Sequence, residues 1–213
     1  MIAAFYHAYQ YGAWQHIYDE QMALMEASGL MDVLDVGHIG VNGSDAITVP
    51  RAFTSMVRNP NPAMEEADTL TALAMFAATN DATILYFHTK GVTQPTSTVD
   101  DWRDLMNYFC LERWRDCIDM LAQTDADAVG TDFSDDHCYG QDPHFSGNFW
   151  WTTSEHIRNL DPAFLTSGFR FHREFWIGTA GTLRSIHDAG LDHYHYPYQP
   201  HEYRDKETAW PIG

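Results

Sequence analysis

The sequence predicts a single α/β domain built on a mostly parallel sheet. Apolar strand-like runs alternate with helical patterns over residues 1–150, an order typical of α/β folds. The run at 82–88 is rich in β-branched and aromatic residues, which predicts a buried central strand. At 213 residues the chain has the length of one domain that can bury a core without disulfides.

Each element has its own signal. The predicted strands are 2–6, 33–41, 53–57, 82–88, 127–133 and 145–151. The predicted helices are 14–28, 64–79, 100–121 and 173–189, of which 100–121 is in two segments. A further helix begins at a cap on Thr152 or Thr153 and ends at 160. Leu70, Leu73 and Ala77 share one face of the second helix, and Gly29 is a typical residue to end the first. Residues 91–98 show no periodicity, so we expect a mobile loop there.

The charge of the chain restricts its partners. Twelve Lys and Arg stand against thirty Asp and Glu, a net charge of −18. Nucleic acids and anionic membrane surfaces need a basic footprint, so neither is expected to bind. A phosphate-bearing ligand would need local Lys or Arg side chains or a divalent metal to offset this charge. The sequence contains neither GxGxxG nor GxxxxGK[ST], which disfavours dinucleotide and P-loop sites.

The cysteines and the apolar runs predict a cytoplasmic protein. Cys110, Cys117 and Cys138 are odd in number and lack metal spacing, so we interpret them as reduced thiols. The first residues lack the basic flank of a signal peptide. No apolar run approaches the roughly 20 residues of a membrane span. The chain ends at Gly213 without a terminal pattern, and we expect it to be the N-terminal part of a longer protein.

The strongest candidate site follows the central strand, at His88, Thr89 and Lys90. Ligands of open α/β sheets bind outside the carboxyl ends of the strands. Lys90 is one of only two lysines, and Arg103 follows across the loop as a second cation. These groups suit an anionic ligand such as a diphosphate. The alternative is an ordinary solvated strand end.

Three further segments carry candidate residues. At the end of the first strand, Tyr6, His7 and Tyr9 have two interpretations: they pack in the core, or one of them cups a base. In the predicted strand 145–151, Ser146 and Asn148 have small polar side chains that suit sugar hydroxyls. Gly147 between them permits a ligand to approach the backbone closely. Glu174 lies among cations and aromatics and is either a base or a helix-start acid.

Acidic and histidine residues give weaker metal signals. Asp125 and Asp127 form Asp-x-Asp, but they precede their strand, so we interpret them as a polar turn. Asp132 follows that strand and is better placed, with Asp135, Asp136 and His137 beyond it. The tail offers His193 and His195, which are either metal ligands or solvated residues.

The order of these motifs resembles a family of small GT-A-like glycosyltransferases. It runs Phe-Tyr-His, Ile-Leu-Tyr-Phe-His-Thr-Lys-Gly, Asp-Trp-Arg, Phe-Ser-Gly-Asn-Phe-Trp-Trp and Arg-Glu-Phe-Trp-Ile-Gly. The family includes bacterial enzymes of the rhamnan-synthesis protein F type and chlorovirus domains that glycosylate a capsid protein. The resemblance covers nearly the whole chain and implies a GT-A-like domain over 1–213, with about six strands in a mixed, mostly parallel sheet.

The resemblance also implies a function. It implies transfer of a hexosyl unit, glucose or rhamnose, from a UDP-sugar to a glycan hydroxyl on a glycoprotein, in capsid glycosylation in the host cytoplasm. Uracil would lie against Tyr6, His7 and Tyr9, and the diphosphate at the end of the central strand. His88-Thr89-Lys90 stands where the family has its Asp-x-Asp, so either Lys90 neutralises the diphosphate directly or Mn²⁺ or Mg²⁺ is held by His88, Asp132 and His195.

In such an enzyme Ser146, Gly147 and Asn148 would face the donor sugar and the acceptor. If the reaction inverts, Glu174 or Asp132 would take the acceptor proton; if it retains, no strong base is needed. Two other classes of protein stay open. A binding module that has lost turnover would hold a nucleotide-sugar or glycan without reaction. A metal-dependent hydrolase would use the abundant Asp and His, although a tight motif such as HExxH is missing from the sequence.

Overall fold

The computed structural model describes residues 1–61, 66–135 and 142–204. Its strands are β1 Ile2–Tyr9, β2 Val36–Asn42, β3 Phe53–Asn59, β4 Thr83–His88, β5 Ala128–Thr131, β6 Phe133–Ser134, β7 His144–Phe145, β8 Trp150–Thr153 and β9 Leu183–His187. Its α-helices are α1 Trp14–Ala27, α2 Leu30–Val33, α3 Ala67–Ala77, α4 Ser97–Asn107, α5 Trp114–Gln123, α6 Ser154–Asn159, α7 Ala163–Thr166 and α8 His172–Phe175.

Seven strands form one mixed sheet in the order β3-β2-β1-β4-β8-β5-β9. All neighbours are parallel except β8, which is antiparallel to both β4 and β5. The predicted single α/β domain with a mostly parallel sheet is therefore confirmed, with seven strands in place of six. The chain moves outward from β1 to β3 and then returns to place β4 on the other side of β1. This reversal creates a crevice where the carboxyl ends of β1 and β4 diverge.

Helices cover both faces of the sheet and enclose two apolar cores. Side chains alternate along a strand, so Tyr6 faces one core and Phe5 the other. The Tyr6 face packs against α1, α4 and α5, with Trp102 and Trp151 buried in it. The opposite face packs against α3 and α6 and buries Trp150. With both faces covered, the carboxyl edge of the sheet is left for a site.

Several local predictions are confirmed. Gly29 follows α1 with φ +73°, the left-handed geometry that glycine adopts without penalty. Thr153 caps α6 by accepting a hydrogen bond from the backbone N–H of His156 at 3.2 Å. The predicted two-segment helix is α4 and α5, which a π-helical turn at Tyr108–Glu112 connects. The expected loop at 91–98 is shorter, because Thr96 caps α4 and the helix begins at Ser97.

Two predicted elements are wrong. The strand expected at 145–151 is interrupted by a turn between β7 and β8, where Gly147 and Asn148 have φ of +87° and +61°. The helix expected at 173–189 ends after α8 and a 3-10 turn, Trp176–Gly178, and the chain then enters β9. Gly181 has φ +72°, which turns the chain so that β9 can pair with β5. Among the described residues, no helix has the length and apolar character needed to cross a membrane.

Candidate functional site

A cavity of about 390 Å³ lies at the carboxyl ends of β1 and β4. The strand ends contribute His7, Tyr9, His88, Thr89 and Lys90 to its wall. The opposite wall comes from the segment around α8 and from the tail, with Arg170, Phe171, Glu174 and Tyr194. Segments far apart in the chain therefore meet at the crevice that the strand order creates.

Lys90 places a cation in the wall of the cavity. Its Nζ lies 3.8 Å from the centroid of the Trp102 ring, a cation–π contact that holds the side chain. Burial lowers the pKa of Lys90, while the charges of Glu174 and Glu66 raise it and that of Arg170 lowers it. The cavity therefore brings cations and carboxylates together in a chain that is strongly acidic as a whole.

Glu66 enters the cavity from the residue that precedes α3. Its Oε2 accepts hydrogen bonds from the hydroxyl of Tyr86 and from the side-chain amide of Asn148, both at 2.7 Å. The indole N–H of Trp150 donates to Asn148 Oδ1 at 2.8 Å and fixes that amide. These contacts hold one oxygen of the carboxylate in place behind the cavity wall.

His7 and His88 are neutral members of the wall. Burial lowers the pKa of His7 to about 4, and burial together with the charge of Lys90 lowers that of His88 to about 3. Nε2 of His88 donates to the carbonyl oxygen of Gly147 at 3.0 Å. His7 Nδ1 is hydrogen-bonded to Thr69 Oγ1 at 2.9 Å. Neither ring adds charge to the cavity at neutral pH.

These lowered pKa values predict a loss of stability in acid. The unfolded chain binds protons near the ordinary histidine pKa of 6.5, whereas His88 in the folded state resists protonation down to about pH 3. The free energy of unfolding should therefore fall as the pH falls below 6.5. In His88→Gln the amide can still donate to Gly147 but does not titrate, so this fall should be smaller by about 2 kcal/mol between pH 7 and about pH 4.5. Urea unfolding at both pH values measures the difference, and equal losses in the two proteins would contradict the assignment.

Glu174 is the second carboxylate of the cavity. It lies in the short helix α8, partly buried. Burial raises the pKa of Glu174, and the charge of Glu66 raises it further, while Lys90, His144 and Arg170 lower it. A carboxylate with a raised pKa in a cavity suits proton transfer.

A comparison with protein families identifies the chain. Residues 5–165 match the model of a family described as a domain of unknown function, DUF8361. The chain belongs to this family. No curated protein and no solved structure matches it. The part of this DUF8361 chain that matches includes β1 from Phe5 onward, β4 and Glu66, whereas Arg170 and Glu174 lie beyond it.

Five predicted site residues of the DUF8361 chain support the cavity from outside: Tyr6, Arg103, Ser146, Gly147 and Asn148. Tyr6 is fully buried in the core, where its hydroxyl donates to Gln21, because strand alternation turns it away from His7 and Tyr9. Arg103 is buried beneath the loop, where it pairs with Asp100 at 2.8 Å.

The turn at 146–148 has the same indirect role. It is not part of the cavity wall, but Gly147 O holds His88 and Asn148 holds Glu66. Ser146 donates its backbone N–H to Asp132 O at 3.0 Å, which joins the turn to the end of β5.

The expected metal ligands have other partners. His88 binds Gly147 O, and Asp132 Oδ2 lies 2.9 Å from Nε2 of buried His193. His195 is exposed and pairs with Asp192 at 2.7 Å. Among the residues that the structure describes, no three His, Cys, Asp or Glu form a group that could hold a metal ion. Of the other residues near the end of β5 that the sequence offers, Asp136 and His137 lie outside the described residues.

Glu66 was missed by sequence reasoning. It follows Pro60 and Pro62 at the beginning of a helix, where an acidic residue is ordinary. Its role depends on Asn148, which is 82 residues away in the chain. The only available signal was the hydroxyl of Tyr86 in an otherwise apolar strand, since a buried Tyr hydroxyl needs a partner.

Proposed function

We propose that this protein is a glycosyltransferase that moves a hexosyl unit, glucose or rhamnose, from a UDP-sugar to a glycan hydroxyl. The observation that carries the proposal is the cavity at the β1–β4 reversal, with Lys90 and Arg170 in its wall. Three cationic side chains, Lys90, Arg170 and Arg173, line one cavity of a chain with net charge −18, which favours an anionic ligand such as a diphosphate. The resemblance in motif order narrows that ligand to a nucleotide-sugar.

The proposed reaction uses the two kinds of charge in the cavity. The acceptor hydroxyl attacks the anomeric carbon as the bond from that carbon to the phosphate oxygen breaks and UDP leaves. Lys90 and Arg170 stabilise the charge that grows on the departing diphosphate. In an inverting reaction the Glu174 carboxylate takes the acceptor proton. In a retaining reaction the departing diphosphate oxygen takes that proton, so no strong base is needed on the far face.

The proposed setting follows from the same resemblance. The acceptor is a glycan on a glycoprotein, of the kind that carries sugars on a viral capsid. We place the reaction in the host cytoplasm, where reduced cysteines persist. Cys110 and Cys117 are both free and buried, which agrees with that compartment.

Thermal unfolding with a panel of nucleotides and nucleotide-sugars, each with and without Mn²⁺, tests the proposal. A ligand at 100 times its Kd adds about 2.7 kcal/mol to the free energy of unfolding, which raises the melting temperature visibly. UDP-sugars should raise it more than other nucleotide-sugars. No shift with any nucleotide would contradict the proposal.

The same panel separates the rival functions. A shift without transfer to a glycan and without hydrolysis of the donor would favour a binding module. A rise in melting temperature with metal alone, together with hydrolysis of simple phosphate esters, would favour a hydrolase. A UDP-sugar shift that is indifferent to Mn²⁺ would assign the compensating charge to Lys90 and Arg170.

Asp127 should be dispensable for the reaction. Its Oδ2 accepts the backbone N–H of Thr182 at 2.8 Å, and Asp125 pairs with Arg184, so both carboxylates hold β5 to the start of β9. Asp127→Ala should lower the free energy of unfolding by about 1.5–3 kcal/mol, the value of a lost hydrogen bond to a charged group. Its transfer rate with Mn²⁺ should stay within about twofold of wild type at a temperature where both are folded. A hundredfold loss would instead make Asp-x-Asp a metal site.

A further inference from the structure

The Glu66 carboxylate has a chemistry that the cations of the cavity lack. It lines the same cavity as Lys90, but its carboxylate oxygens accept hydrogen bonds, as Oε2 does from Tyr86 and Asn148. Phosphate oxygens at neutral pH are also acceptors only. A diphosphate therefore gains nothing from Glu66 and is repelled by its charge.

The carboxylate is held from behind. Tyr86 and Asn148 both donate to Oε2, and Tyr86 is fully buried with its ring stacked on Trp150 at 5.0 Å. Asn148 is itself fixed by the indole of Trp150. Because these donors already hold the carboxylate in one orientation, the Glu66 side chain loses little conformational entropy when a ligand binds it.

Such a carboxylate suits hydroxyl donors. A sugar presents several O–H groups, each of which can donate to a carboxylate oxygen in a charge-assisted hydrogen bond. The cavity therefore has two complementary kinds of group, with cations for the phosphates and a fixed acceptor for the hydroxyls. This separation orients a ligand that carries both.

We propose that Glu66 binds a hydroxyl of the transferred sugar and selects the donor by that contact. The inference rests on the proposed function, because it assumes that the ligand is a nucleotide-sugar. It adds the residue that distinguishes the sugar from the nucleotide. A site built to bind a hydroxyl discriminates strongly against ligands that lack it.

Glu66→Gln tests this assignment with little change in shape. The amide oxygen of Gln can replace Oε2 and accept from Tyr86 and Asn148, which leaves an NH₂ donor in place of the other oxygen. Calorimetric titration with UDP and with UDP-glucose gives both affinities. We expect the affinity for UDP-glucose to fall about tenfold, as for a lost charged hydrogen bond. The affinity for UDP should stay the same or rise slightly, since a negative charge near the phosphates is removed.

Asp68→Asn is the matched control. It removes one carboxylate from the first turn of α3, two residues after Glu66. Asp68 accepts a hydrogen bond from Asn59 and does not line the cavity. The ratio of the two affinities should stay at the wild-type value in this variant. Equal losses for UDP and UDP-glucose in Glu66→Gln would overturn the inference while leaving the proposed function intact. If the wild-type protein binds neither ligand, the proposed function fails and this inference with it.

Discussion

Replacing Lys90 by methionine is expected to weaken the binding of UDP-glucose by roughly a hundredfold, as for the loss of a strong charged contact in a partly buried site. Methionine keeps much of the length of the side chain and its contact with Trp102 while removing the charge. The diphosphate would then face Glu66 and Glu174 with one cation fewer. Calorimetric titration of the wild type and the variant measures the change directly.

The matched control for this prediction is Arg184→Gln. It makes the net charge one unit more negative, from −18 to −19, as Lys90→Met does, but Arg184 pairs with Asp125 at 2.8 Å at the start of β9. A loss of affinity that came from the overall charge would appear in both variants. Lys206, the other lysine, lies outside the described residues, and Lys206→Ala should likewise have a mild effect. Equal, mild effects in all three variants would refute the assignment of Lys90.

The predicted centre of the site follows from local sequence pattern. The apolar run before His88-Thr89-Lys90 is long enough to predict a buried strand. It stops where these polar residues begin. Its neighbours in a parallel sheet must end at the same edge. His7 and Tyr9 therefore meet Lys90 in one cavity.

The rest of the site depends on contacts that no local pattern encodes. Ser146-Gly147-Asn148 lies between Phe145 and Phe149-Trp150-Trp151, and the apolar signal of those rings outweighs the turn signal of Gly and Asn. Asn148 adopts φ +61° and reaches Glu66, a pairing that requires the whole α3–β4–β8 arrangement. The sequence predicts Glu174 near the start of a long helix, but the helix ends at the 3-10 turn Trp176–Gly178, and Gly181 with φ +72° turns the chain into β9.

The loss of the Glu174 carboxylate in Glu174→Gln should lower the turnover rate by about two to three orders of magnitude, the contribution of a general base in an inverting reaction. The affinity for UDP-glucose should change little, because Gln keeps the size of the side chain. Lys90→Met should leave a different pattern, in which affinity falls. Initial rates at saturating donor, with the titrations above, separate the two roles.

The pH dependence gives an independent test of Glu174. Burial raises its pKa above the ordinary value of 4.5, and only the deprotonated form can accept a proton. The rate should therefore fall as the pH falls through this raised pKa, at a higher pH than an exposed glutamate would give. Lys90 lowers the pKa of Glu174, so Lys90→Met should move the acid limb to still higher pH. In Glu174→Gln the limb should vanish, and a limb that persists in this variant would assign the base to another group.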